Sequence, residues 1–119
     1  MKIYDLNYLK SLSPDNPKFM VEIIQLFLKQ VPLFVEELNK HQSNSDWAGL
    51  QYNAHKIGSH FDCLGIQQEY RDVARKIEEY AKLKENSDLI PGLVIKLEHS
   101  LQQANKELNE ELKKNYNIA

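Results

Sequence analysis

The chain has 119 residues, 42% of them hydrophobic and 27% charged, which suits one globular domain over residues 1–119 and excludes a largely disordered protein. Fifteen basic against seventeen acidic residues leave a formal charge of −2, which argues against a nucleic-acid-binding role. A lone cysteine, Cys63, permits neither an internal disulfide nor a multi-thiolate metal site. No apolar run reaches the length of a membrane span, and Met1-Lys2-Ile3-Tyr4-Asp5 does not begin a signal peptide, so a cytoplasmic protein is expected.

Leu6, Leu9 and Leu12 predict a short N-terminal helix lidding one end, stopped by Ser13-Pro14. Asn16-Pro17 then signals a helix start, a capping residue followed by proline at the first helical position. Met20, Ile24, Phe27, Val31, Phe34 and Leu38 recur at spacings of three and four, which is one helix face, and Pro32 predicts a kink near residue 28. His41–Ser45 reads as a polar loop. Asp46 caps the next helix, where Trp47, Leu50, Ala54, Ile57, Phe61 and Leu64 form an unbroken stripe that Gly65 closes in a left-handed conformation. From about Gln67 to Lys84 a further helix turns Tyr70, Val73, Ile77, Tyr80 and Ala81 inward. Asn86-Ser87 breaks it and caps the last helix, whose stripe runs from Ile90 through Val94, Leu97, Leu101, Ala104 and Leu108 towards Leu112, with fraying from about Lys113. Four amphipathic helices joined by short loops predict an all-α, antiparallel up-down-up-down four-helix bundle with a short extra N-terminal helix.

Enzyme signatures are missing. The sequence contains no Gly-rich phosphate loop, no Gly-x-Ser-x-Gly elbow, no His-Glu-x-x-His pair, and no Glu-x-x-His of the kind that builds di-iron bundles. No resident metal and no autonomous catalytic activity are expected. Among four histidines, His41 and His99 read as surface residues and His60 as a boundary residue. His55 differs: at about 100° per residue it points roughly 140° away from the core direction of its helix. Gly58 and Ser59, three and four residues on, leave clearance beside its ring, and a glycine within a helix costs on the order of 1 kcal/mol relative to alanine.

The segment Ala54-His55-Lys56-Ile57-Gly58-Ser59, continuing to Leu64-Gly65-Ile66, resembles the signature of histidine-containing phosphotransfer (HPt) domains. Ala54, His55, Ile57, Leu64 and Gly65 match it in type and spacing. The proline-containing helix before it, Asp46, and Ala74-Arg75-Lys76-Ile77-Glu78 after it resemble the family more loosely. The resemblance implies a carrier in a two-component phosphorelay, either alone or as part of a hybrid histidine kinase. It would take a phosphoryl group from a receiver-domain aspartate onto His55 and pass it to another response-regulator receiver. Magnesium would come from the partner receiver, and a monomer suits the task. The family's lysine three residues after the histidine is Gly58 here, and its next glycine is Ser59. Ser59, Gly58 and Lys56 are therefore expected around the phosphate, with Lys56 acting only through its long stem. The wide apolar face of the first long helix offers Ile24 and Leu28 for partner docking. The alternative reading is an HPt-like adaptor that docks partners without being phosphorylated.

Overall fold

The computed structural model describes residues 2–118. It is all-helical there, with α1 at Asn7–Leu12, α2 at Pro17–Ser43, α3 at Trp47–Cys63, α4 at Gln68–Leu83 and α5 at Ile90–Tyr116, plus a 3-10 turn at Ser87–Leu89. The long helices contact one another in a ring: α2 packs on α3 and α5, and α4 packs on the same two. No described helix is long and apolar enough to cross a membrane.

One apolar cluster fills the ring, and the periodic residues supply it. Met20, Ile24, Phe27, Val31, Phe34 and Leu38 are buried from α2, Leu50, Ala54, Ile57 and Phe61 from α3, and Val73, Ala74, Ile77 and Ala81 from α4. The α5 stripe from Ile90 to Leu112 is buried at every expected position. Fully burying a Phe or Leu side chain stabilises by roughly 1.5–3 kcal/mol, so these stripes, rather than helix propensity, hold the fold together.

Several boundaries differ from the sequence reading, each for a local reason. Helix α2 continues through His41 to Ser43, because Asp46 Oδ2 lies 2.9 Å from His41 Nδ1 and draws the last turn onto the start of α3. Asp46 also accepts from the Gly49 N–H at 3.0 Å, the cap expected of it. Asn16 stands at the start of α2 but makes no side-chain cap bond, and Pro32 lies inside that helix. Leu12 is exposed, so α1 covers the core with Leu9 alone, next to Leu6 just before the helix. Trp47, Tyr70 and Tyr80 are only half-buried. The last helix does not fray at Lys113: it reaches Tyr116, and the Ile118 N–H returns to the Leu112 carbonyl at 3.0 Å.

Gly65 closes α3 as expected, with φ of +60°. A side chain there would also collide with the Asp5 carbonyl oxygen, because residues 2–6 cross this turn as a strap. The Asp5 N–H donates to the Leu64 carbonyl at 3.2 Å, and the Gln67 N–H donates to the Ile3 carbonyl at 2.9 Å. The strap is fixed at its far side by Glu107, which accepts from the Ile3 N–H, and by Glu111, which accepts from the Tyr4 hydroxyl at 2.5 Å.

Candidate functional site

His55 lies midway along α3, on the side facing away from the cluster. Its side chain is 65% exposed. Its neighbours in sequence, Asn53, Ala54 and Ile57, are buried, so the helix is anchored directly beneath the imidazole.

The ring does not stand free. Its Nδ1 lies 3.0 Å from Oε2 of Glu78, a residue of α4 on the adjacent helix face. A carboxylate only accepts hydrogen bonds, so Nδ1 carries the hydrogen, and in the neutral imidazole the lone pair is then on Nε2. Two open depressions flank the ring. Ala48, Gln51, Tyr52 and Glu78 line one with His55; Lys56, Ser59, His60 and Cys63 line the other.

The expected companions of His55 divide. Lys56 borders the second depression, with its Nζ 5.3 Å from the Tyr52 ring centroid and 5.7 Å from that of Phe34. Ser59 does not hydrogen-bond the ring: its hydroxyl donates to the His55 backbone carbonyl at 3.1 Å, the usual recourse of a serine within a helix. Gly58 is half-buried and turned towards α4, where a Cβ would meet the Ala74 methyl at 3.7 Å, so it marks helix packing rather than clearance around the imidazole.

The docking residues read from the sequence need correction. Ile24 is completely buried, because α2 sits between α3 and α5 and turns that position into the core. Leu28 is half-buried against the same cluster. The large apolar side chains exposed on these two helices are instead Leu26 and Leu33 on α2 and Tyr52 on α3, the last 62% exposed and lining a depression beside His55. They fall outside the core stripes and carry no periodic signal.

Nearby titratable groups are shaped by burial. His60 packs against Phe27 and Phe34, and burial, then the charge of Lys56, holds its pKa below the ordinary histidine value. Burial pushes the Cys63 thiol up, which removes thiolate character from the depression. Asp62, two turns beyond His55, receives Arg71 and Arg75 of α4, each at 3.6 Å.

A groove larger than either depression lies elsewhere, along the strap, between Tyr4, Asn7, Lys10, Glu111 and Asn115. Its Glu111 is already engaged by Tyr4, Lys2 and Asn115. Among the described residues no three His, Cys, Asp or Glu side chains converge as a cation site.

The chain was compared with protein-family models, curated proteins and solved structures, and none matches.

Proposed function

We propose that the chain is a histidine phosphotransfer module, its long helices forming an antiparallel up-down-up-down bundle that presents His55 to receiver domains. The observation that carries this reading is the exposed imidazole whose Nδ1 is held by Glu78, leaving Nε2 as the free nucleophile. In the forward step the Nε2 lone pair attacks the phosphorus of a receiver's aspartyl phosphate. The bond between phosphorus and the aspartate oxygen breaks, and the aspartate leaves as a carboxylate. Glu78 faces the Nδ1 hydrogen throughout and offsets the positive charge the ring acquires. The reverse sequence delivers the group to a second receiver.

Such a transfer asks little covalent chemistry of the carrier, only an accessible atom in a fixed orientation. Magnesium and the acidic pocket that binds it belong to the receiver. Tyr52, together with Leu26 and Leu33, supplies apolar surface for docking. The module acts as a cytoplasmic monomer, either alone or within a hybrid kinase.

A second reading, a docking adaptor that is never phosphorylated, draws on Gly58, which places no cation one turn from His55. Phosphotransfer from a phosphorylated receiver separates the two, with the product mapped by mass spectrometry without acid because phosphohistidine is acid-labile. Label on His55 that is absent from His55→Gln is the expected result. Binding of receivers with no label from any of several donors favours the adaptor.

A further inference from the structure

A phosphoryl group on His55 places close to two negative charges on an open helix face, and a nearby cation is needed to offset them. Gly58 offers none. The α4 arginines nearest the site are engaged: Arg71 and Arg75 both reach Asp62, and Arg75 also reaches Asp72. Lys82, one turn after Glu78, lines neither depression beside the ring. Lys56 lines one of them together with His55. Its ammonium rests over the Tyr52 and Phe34 rings and has no carboxylate within ion-pair distance among the described residues. It is a positive charge beside the nucleophile, held only by aromatic faces. Tyr52 and Lys56 are four residues apart on one helix, which is why they meet.

We propose that Lys56 is the phosphoryl-binding cation of this site, parked over Tyr52 and Phe34 in the free protein and transferred to the phosphoryl oxygens once Nε2 is phosphorylated. The inference rests on the phosphotransfer reading of His55. An ammonium over aromatic faces, here exposed Tyr52 and buried Phe34, is held more weakly than one that donates to a phosphate dianion, so the anion wins the competition. The flexible four-carbon stem permits the swing without movement of α3. His60 already registers the charge, since Lys56 contributes to holding its pKa down.

Phosphoramidate, a small-molecule donor, tests this without a partner protein. Nε2 attacks the phosphorus of its N-protonated form, the P–N bond breaks with its electron pair on the already protonated nitrogen, and ammonia leaves while the Nδ1 hydrogen stays facing Glu78. Labelling of His55 is followed by mass spectrometry in wild type, Lys56→Ala, Lys56→Arg and Lys82→Ala. In parallel, NMR follows the Lys56 ε-methylene signals, which the two rings shift in the free wild-type protein. Lys56→Ala is expected to slow labelling by about tenfold or more, the scale of one hydrogen bond to a charged group. Lys56→Arg retains most of the rate, Lys82→Ala all of it, and the ring-current shift disappears on phosphorylation. Normal labelling of Lys56→Ala with unmoved ε-methylene signals overturns the role of Lys56 and leaves His55 as phosphoacceptor. An equal loss in Lys82→Ala overturns the assignment to Lys56. No label on wild type overturns both this inference and the phosphotransfer reading.

Discussion

The Nδ1 of His55 and a carboxylate oxygen of Glu78 meet at 3.0 Å from positions 23 residues apart, joining α3 to α4 on their outer faces. The pair is partly exposed, so its value to stability is small, on the order of 0–1 kcal/mol. If His55 accepts a phosphoryl group as proposed, the pair matters more to chemistry, because it selects the nitrogen that stays free and orients the ring.

Glu78→Ala is therefore expected to separate the two effects. Transfer to His55 falls by about tenfold or more, the scale seen when the group that orients a reactive histidine is removed. The urea midpoint changes by less than about 1 kcal/mol equivalent. Glu78→Gln keeps an acceptor but loses the charge, and falls between wild type and Glu78→Ala. Equal transfer rates in all three proteins would show that Glu78 does not position the ring.

Stability should fall as the solution is acidified, with one step set by His60 and a later one to which Glu111 contributes. Burial, then the charge of Lys56, holds the folded His60 below its ordinary value of 6.5. Below that value the unfolded chain takes up a proton that the folded one refuses, so stability declines as pH drops through it and levels off below the folded pKa. Glu111 adds a later step. Burial alone raises its pKa, but hydrogen bonds from Tyr4 and Asn115 and the charge of Lys2 outweigh burial and hold it below the ordinary 4.5. Its contribution is present above 4.5 and is lost as pH falls through the lower folded pKa. Urea titrations across this range check both steps. His60→Gln should remove the first step and leave the second.

What the sequence conveyed and what it did not follows from distance along the chain. Stripes at spacings of three and four are local, and they located every long helix and nearly all of its buried residues. Gly65 was legible because a left-handed closure is local too. Glu78 was not legible as a site residue, since it meets His55 only once α3 and α4 pack. Glu111 lies 107 residues from its partner Tyr4, and its burial has no local sign at all. The complete burial of Ile24 is not legible either, because a wide apolar face does not reveal how many neighbouring helices will cover it.

The contrast between Ile24 and Leu33 is testable on α2. Ile24 is wholly buried, whereas Leu33 is 54% exposed. Ile24→Ala should cost about 2–5 kcal/mol by leaving a cavity in the cluster. Leu33→Ala should change stability by no more than about 0.5 kcal/mol while weakening receiver binding if α2 is part of the docking surface. Urea denaturation and receiver titration, run on both variants, read the two effects separately.

Gly58 and Gly65 lie seven residues apart, one within α3 and one at its end, and alanine should act on them in opposite directions. At Gly58 the backbone is helical and the added methyl would make ordinary contact with Ala74 at 3.7 Å. Gly58→Ala is therefore expected to stabilise by about 0.5–1 kcal/mol through reduced chain entropy, with labelling of His55 unchanged because the methyl faces α4. At Gly65 the backbone has φ of +60°, which costs an L-residue roughly 1–2 kcal/mol, and the added carbon runs into the Asp5 carbonyl oxygen. Relief requires the strap to move, which breaks the Asp5–Leu64 and Gln67–Ile3 backbone bonds. Gly65→Ala is thus expected to lose more than about 2 kcal/mol and to expose the amides of Asp5 and Gln67 to hydrogen exchange. A slower-labelling Gly58→Ala would mean that the α3–α4 spacing, and not only the exposure of His55, controls access to Nε2.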